Sequence, residues 1–89
     1  MRAVVTVTGK DTKGIIAKVS AFLSEKGANI EDISQTILGE YFAMIMIVDI
    51  SSITEELATL ATQCAELGKQ IGMSIYVQHE DIFNAMHNI

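Results

Sequence analysis

Several kinds of residue are scarce or missing in this chain, and each shortage argues against a class of protein. The sequence has one cysteine, Cys64, so a disulfide within the chain is excluded, which fits a reducing compartment. It has six Lys and Arg residues against eleven Asp and Glu, a net charge of −5, whereas nucleic-acid binding depends on basic residues that neutralise phosphates. No run without a charged residue is longer than ten residues, although about 20 apolar residues are needed to cross a bilayer. We therefore expect neither a nucleic-acid partner nor a membrane span.

Apolar residues, in contrast, are abundant. Residues 1–89 are enough for one domain, and a domain of this size buries only a modest core. Hydrophobic residues make up 49% of the chain, which is high for so small a domain and predicts that some apolar surface is buried in an oligomer. The first predicted strand begins at residue 2 and leaves no room for a signal peptide, so we expect a cytoplasmic protein.

The first third of the sequence predicts a strand followed by a helix. Arg2 to Thr8 is rich in β-branched residues, as strands are. From about Thr12 to Lys26 the apolar residues recur at helical spacing and predict a buried stripe. They are Ile15, Ile16, Val19, Phe22 and Leu23.

The middle of the sequence predicts a hairpin of two strands. Asn29 to Leu38 has the composition of a strand, but its isoleucines change parity near Glu31 and Asp32, which predicts a bulge. Gly39-Glu40 is short enough for a tight turn. Tyr41 to Ile50 is apolar on both faces, which is typical of a central strand with both faces covered.

The last third predicts a second helix, a fourth strand and a short helical tail. Ser52 to Glu55 fits a capping box, and the apolar residues that follow it recur at offsets of three and four. Met73 to Gln78 alternates apolar and polar residues, as a strand with one buried face does. Asp81 to Asn88 predicts a short amphipathic helix. The apolar residues of helix two are Leu57, Leu60, Ala61, Cys64, Leu67, Gly68 and Ile71.

The order of these elements predicts a ferredoxin-like βαββαβ sandwich. Such a fold has an antiparallel four-stranded sheet with two helices on one face, here with an added C-terminal helix. Since the two helices cover one face only, the second apolar face of Tyr41 to Ile50 must meet a ligand, a second subunit or the C-terminal tail. We therefore expect self-association, in the form of a homodimer.

Two short motifs bracket the first helix: Gly9-Lys10-Asp11-Thr12-Lys13-Gly14 before it and Gly27-Ala28-Asn29-Ile30 after it. This arrangement resembles the ligand-binding corner of ACT domains. It consists of a strand, a glycine-flanked loop, a helix that ends at a glycine, and an asparagine that begins the next strand. This resemblance covers almost the whole chain, and it is strongest to small stand-alone bacterial and archaeal ACT proteins. It implies a regulatory module that binds a small molecule and acts on a partner protein. An unidentified enzyme is the expected kind of partner.

The same resemblance implies which residues bind the ligand: Asp11, Thr12, Gly14, Asn29 and Ile30. A zwitterionic amino acid suits this set, because the positive end of the helix near Gly14 favours its carboxylate, while Asp11 or the amide oxygen of Asn29 meets its ammonium. We expect both motifs to lie at one end of the fold. The alternative is a structural or protein-interaction ACT module without a ligand, in which Asp11 only caps the helix and the glycines only permit turns.

Other kinds of site find little support. Four side chains near the C-terminus are of types that bind metal ions, but their spacing is not that of a metal site. They are His79, Glu80, Asp81 and His87. Cys64 lies on the apolar face of helix two, so we expect it to be a buried small hydrophobe. An RNA-recognition fold shares the element order, but the acidic charge fits it poorly. Since no catalytic set or nucleotide-binding loop stands out, we expect no enzymatic activity and no cofactor.

Overall fold

A computed structural model describes residues 1–10 and 12–87 of the chain. The elements follow the order βαββαβα, which confirms the predicted ferredoxin-like class with its additional C-terminal helix. They are β1 (Arg2–Lys10), α1 (Ile15–Glu25), β2 (Asn29–Leu38), β3 (Tyr41–Asp49), α2 (Leu57–Ile71), β4 (Met73–His79) and α3 (Glu80–His87).

The four strands form one antiparallel sheet in the order β2-β3-β1-β4. The two central strands are β1 and β3, and they pair along their whole length from Arg2 opposite Asp49 to Lys10 opposite Tyr41. The edge strands are β2 and β4. This placement puts the residues with the strongest strand preference where both edges of the backbone are paired.

The hydrophobic core lies between the sheet and the first two helices. Helices α1 and α2 each place a stripe of buried residues on it, with Val19 and Leu23 from α1 and Leu60 and Cys64 from α2. The sheet contributes one face of each central strand. Those residues are Ala3, Val5 and Val7 of β1 and Phe42, Met44, Met46 and Val48 of β3.

The other face of the sheet, called the open face below, is covered in part by α3. Val4 is only 2% exposed there, whereas Tyr41 and Ile45 of β3 and Tyr76 of β4 are exposed. Phe83 of α3 lines a groove with Ile45 and Tyr76, so this helix lies across the open face. A ligand, a second subunit or the C-terminal tail was expected to cover this face. The C-terminal tail does so as α3, but it leaves much of β3 uncovered.

An arginine joins the start of β1 to two other elements on this side of the fold. The Arg2 guanidinium lies 2.6 Å from Glu80 at the start of α3 and 3.6 Å from Glu31 in β2. These pairs are partly exposed, so each adds little to stability but helps to orient α3.

The predicted irregularity of β2 is present. The register against β3 shifts between Ile30 and Asp32, so Glu31 is the extra residue of a bulge, as predicted. Past the bulge, β2 runs to Leu38 and turns through Gly39 and Glu40, which confirms the predicted hairpin. All residues of β2 except Ile30 are exposed, as expected of an edge strand over which α1 only partly extends.

Both predicted helix starts are wrong. Helix α1 begins at Ile15 and not near Thr12, because Gly14 has φ 81°, a left-handed conformation that ends the loop and cannot continue into a helix. Helix α2 begins at Leu57, and no side chain in the described part of the chain caps it, so the predicted capping box does not form. Instead Ile53 packs on the core and Glu55 pairs with Lys26 at 3.7 Å, which holds this segment outside the helix.

Candidate functional site

The loop between β1 and α1 delivers a helix N-terminus to the surface. Gly14 is the N-cap residue of α1, it is exposed, and no side chain among residues 1–10 and 12–87 caps the helix. The first intrahelical hydrogen bond runs from the Lys18 N–H to the Gly14 carbonyl at 2.9 Å. The N–H groups of Ile15, Ile16 and Ala17 therefore have no acceptor within the helix, and the first turn carries no acidic residue. Such an end attracts a carboxylate.

A small groove opens at this helix end. It has a volume of about 200 Å³ and lies between the first turn of α1 and the far half of β2. Thr12 and Gly14 line one side, while Gln35 and Ile37 line the other, above the buried ring of Phe42. Asp11, one of the two predicted partners for an ammonium group, lies outside the described residues. The groove is smaller than the roughly 300–1,000 Å³ of ordinary ligand pockets.

Asn29 and Ile30, the other predicted ligand-binding residues, lie at the opposite end of α1. The helix has 11 residues, which corresponds to a length of about 16 Å. Asn29 pairs with Asp49 at one end of β3, whereas Ile37, beside the Gly14 loop, pairs with Phe42 at the other end. The expectation that both motifs lie at one end of the fold is therefore wrong, because a helix separates its two flanking turns by its own length.

The Asn29 end has its own polar cluster. The Asp49 carboxylate accepts hydrogen bonds from the Ser51 hydroxyl at 2.6 Å and from the Ser51 N–H at 2.9 Å. The Ser51 hydroxyl hydrogen bond, followed by that of the Ser51 backbone, lowers the pKa of Asp49 below its usual value. The Met1 ammonium lies 3.9 Å from the same carboxylate. Asp49 is therefore a carboxylate that is already engaged, whereas the neighbouring Asn29 side chain is exposed and carries no charge.

Two residues of the Gly14 groove, Gln35 and Ile37, were not predicted from the sequence. They lie on the helix-facing side of β2 because the bulge at Glu31 reverses the parity of the strand. The change of parity among the isoleucines contained this signal. Past the bulge, inward and outward residues alternate in the opposite phase to that at Asn29. This phase directs Gln35 and Ile37 towards α1.

The remaining candidates give no site among the described residues. Cys64 is buried, as predicted, and burial raises the pKa of its thiol to about 11, so it is not a nucleophile at neutral pH. No group of three or more His, Cys, Asp and Glu side chains that could hold a metal ion occurs in residues 1–10 and 12–87. The His79 ring accepts a hydrogen bond from the Asp81 N–H at 3.1 Å, and the side chain of His87 lies outside the description. None of the helices that the structure describes is long and apolar enough to cross a membrane.

Comparison with known proteins points to one family. The family model described as ACT domain matches residues 2–78. A UPF0237 protein of Methanopyrus kandleri is 48% identical over 88 residues, which cover 99% of this chain and 98% of that protein. Among solved structures, an ACT domain protein from Streptococcus pneumoniae matches with a TM-score of 0.84 and 41% identity over 98% of both chains. The regulatory subunit of aspartate kinase from Thermus thermophilus matches with a TM-score of 0.65 and 26% identity, over 86% of this chain and 50% of that one.

Proposed function

The chain belongs to the ACT domain family, and on that basis we propose that it is a regulatory module that binds an amino acid as a homodimer and acts on a partner protein. ACT domains are commonly ligand-binding regulatory modules of amino-acid pathways. The similarity to the regulatory subunit of an aspartate kinase supports such a role. The single observation that carries the proposal is the exposed start of α1 at Gly14, which no described side chain caps and which opens into a groove.

The Gly14 end binds the carboxylate of the ligand. Three N–H groups point out of the first turn of α1, from Ile15, Ile16 and Ala17, and the positive end of the helix adds to their attraction for an anion. A glycine at the N-cap position lets the ligand approach the main chain, because no Cβ stands in the way. The left-handed φ of Gly14 explains why that position takes glycine.

One subunit supplies only half of the site. The groove of about 200 Å³ is small, and Asn29, the second predicted partner of the ammonium group, lies about one helix length away. Both facts support a second copy completing the site. If two β2 strands pair antiparallel about a twofold axis, the Asn29 end of one strand comes beside the Leu38 end of the other. Asn29 and Ile30 of the partner subunit then approach the Gly14 loop.

The exposed surface of β2 supports this arrangement. Ile37 is 55% exposed and Ile33 39%, although both lie on the helix-facing side of the strand, and Ile16 of α1 is also exposed beside them. The outer backbone edge of β2 has no neighbour among the described strands. An edge strand with exposed isoleucines is a template for pairing with another chain. A twofold dimer would pair the backbone N–H and C=O groups on the outer edge of β2 and would also bury the exposed isoleucines.

A thermal-unfolding screen against the twenty amino acids tests the proposal. A ligand that binds only the native state at 100 times its Kd stabilises it by about 2.7 kcal/mol. Calorimetry should therefore show a raised midpoint with one amino acid or a small related group. Gly14→Val should abolish this rise because its side chain blocks the N–H groups. Gly72→Val is the matched control, since Gly72 has a similar φ of 75° but lies between α2 and β4, away from the groove.

The oligomeric state gives a second readout. Sedimentation at micromolar concentration should show a dimer. If the unmodified protein is a monomer, or if none of the twenty amino acids shifts the midpoint, the proposal is wrong.

A further inference from the structure

A pocket lies between α3 and the open face of the sheet. It has a volume of about 390 Å³, which is within the range of ordinary ligand pockets. Its floor is one row of residues across three strands, because Thr6 of β1 pairs with Ile45 of β3 and with Tyr76 of β4. Phe83 and Met86 of α3 form its wall. This α3 pocket is on the opposite face of the sheet from α1 and plays no part in the proposed function.

Two polar side chains of the α3 pocket have hydrogen-bonding capacity that the described residues do not use. Thr6 and Gln78, the sixth lining residue, are half-buried. The Thr6 hydroxyl and the Gln78 Oε1 atom have no hydrogen-bond partner among residues 1–10 and 12–87, and neither is a buried atom, so a ligand can reach both from solvent. Gln78 lies two residues beyond Tyr76, the partner of Thr6 on β4. Diagonal neighbours of this kind are about 7–8 Å apart, so one small polar group can contact both side chains.

The amide nitrogen of Gln78 has a weak hydrogen-bond partner. Its Nε2 atom donates to the sulfur of Met86 at 3.3 Å. A thioether sulfur is a poor acceptor, and a methionine side chain is flexible. Met86 is 66% exposed, so little packing opposes its movement. A ligand carbonyl oxygen would therefore be a better acceptor for Gln78 than the sulfur that it replaces.

The lining of the α3 pocket favours an aromatic ligand without a formal charge. Tyr76 and Phe83 offer ring surface, and aromatic rings pack well against other rings and against methionine sulfur. Each of the six described lining residues is uncharged. A carboxylate or an ammonium group would lose water there without meeting an opposite charge, which is costly. The pocket therefore does not suit a zwitterionic amino acid.

We propose that the α3 pocket binds a planar aromatic molecule that carries an uncharged carboxamide. The ring packs on Tyr76 and Phe83. The carboxamide forms two hydrogen bonds with Gln78, since its oxygen accepts one from Nε2 and its N–H donates one to Oε1. Its second N–H donates to the Thr6 hydroxyl. This ligand class differs from the amino acids proposed for the Gly14 groove, and neither proposal depends on the other.

Three probes of similar size and shape test this selectivity: benzamide, benzoate and benzamidine. Their head groups differ, because the amide both donates and accepts hydrogen bonds, the carboxylate only accepts and the amidinium only donates. Each is titrated into the full-length isotope-labelled protein while backbone amide, glutamine side-chain and methionine methyl resonances are recorded. We expect saturable shifts at Thr6, Gln78 and Met86 with benzamide, and at least tenfold weaker binding of the other two probes.

The same titrations can overturn the proposal. Equal binding of the three probes would show a merely apolar surface. Tighter binding of benzoate or benzamidine would show that the pocket selects a charge. Benzamide that binds nowhere, or that shifts only the resonances around the Gly14 groove, would show that the α3 pocket is not a carboxamide site.

Two threonine variants locate the hydroxyl contact. Thr6→Val removes the hydroxyl at similar size and keeps a residue that suits a strand, so benzamide should bind about fivefold more weakly to a folded protein. Thr8→Val is the matched control, because Thr8 lies two residues further along the same face of β1 but does not line the α3 pocket. Unchanged affinity in Thr6→Val, or an equal loss in both variants, would overturn the proposal.

Two variants of Gln78 test the amide pair. Gln78→Leu removes both hydrogen bonds, so benzamide should bind at least tenfold more weakly. Gln78→Glu keeps the size of the side chain but replaces the donor with a charged acceptor, so benzamidine should become the tightest of the three probes. The second variant decides the question if Gln78→Leu fails to fold, and an unchanged order of affinities in Gln78→Glu would overturn the proposal. Gly14→Val should leave benzamide binding unchanged, which separates the α3 pocket from the proposed amino-acid site.

Discussion

Gly68 of α2 lies so close to Met73 that a Cβ added to the glycine would stand 2.5 Å from the Met73 carbonyl oxygen. Helix α2 approaches the start of β4 there without a side chain between them, although a glycine within a helix ordinarily weakens it. Alanine is the better helix former by about 1 kcal/mol, so intrinsic preference favours the substitution and packing opposes it.

We therefore expect Gly68→Ala to destabilise the protein by about 1–3 kcal/mol, the usual range for overpacking. Chemical denaturation measures this change in the free energy of unfolding. Gly39→Ala is the control, because no atom of the described residues lies within 4 Å of a Cβ at Gly39 and its left-handed φ is what opposes the change. Stabilisation by Gly68→Ala would mean that α2 can move away from β4 at no cost.

Adjacent residues of β3 should respond in opposite ways to a negative charge. Met46 is fully buried under the helices, so Met46→Glu places an unpaired charge in the core and should prevent folding. Ile45 is 40% exposed on the open face, so Ile45→Glu should fold. Circular dichroism distinguishes the two outcomes. A folded Met46→Glu protein would contradict the assignment of the core face.

The same isoleucine serves as a control for the dimer proposed through β2. Ile37→Glu changes an exposed residue of β2 and should convert the dimer to a monomer, whereas Ile45→Glu should leave it intact. Sedimentation of both variants compares the two surfaces directly. If Ile45→Glu alone dissociates the dimer, the subunits associate through the open face, and the ligand site is not completed by Asn29 of the partner subunit.

We expect helix α2 to contribute to the core and not to chemistry. Leu60 is fully buried, so Leu60→Ala should lower the free energy of unfolding by roughly 2–5 kcal/mol through the cavity it leaves. Cys64, one turn further along, should resist thiol reagents in the native protein, because it is 1% exposed and the pKa of its thiol is about 11. Rapid labelling of Cys64 without unfolding would show that the packing of α2 opens readily.

Ser51 should control the titration of Asp49. The hydrogen bond from the Ser51 hydroxyl lowers the pKa of Asp49, so Ser51→Ala should raise that pKa towards its ordinary value. Because the folded-state pKa is the lower one, this carboxylate stabilises the protein above its unfolded-state pKa, and the stabilisation is lost as the pH falls through the folded-state value. Carboxyl carbon resonances followed from pH 2 to pH 6 measure the shift. The neighbouring Ser52→Ala should leave the pKa of Asp49 unchanged.

The fold could be predicted wherever periodicity and turn chemistry agree. The bounds of β2, Asn29 to Leu38, and its bulge at Glu31 were predicted from composition and from the change in isoleucine parity. The capping box at Ser52 to Glu55 was wrong because two tertiary contacts, Ile53 on the core and Glu55 with Lys26, outweigh a local pattern. Helix starts depend on such contacts, which adjacent residues do not encode.

The candidate site was predicted less well than the fold. Thr12 and Gly14 do line a groove together, but Asn29 and Ile30 lie beyond the far end of α1. A motif shows which residues belong to a site, and it does not show whether one chain or two must supply them. Gln35 and Ile37 were missed because their facing depends on the bulge that precedes them.

The exposure of Tyr41 and Tyr76 has a practical consequence for spectroscopy. They are the two tyrosines of a chain that has no tryptophan, and both lie on the open face, where the residues are 57% and 66% exposed. Tyrosine fluorescence will therefore change little when the core between the sheet and the helices melts. It will instead respond to whatever molecule covers the open face, and Tyr41→Phe would leave Tyr76, beside α3, as a single emitter that reports the position of that helix.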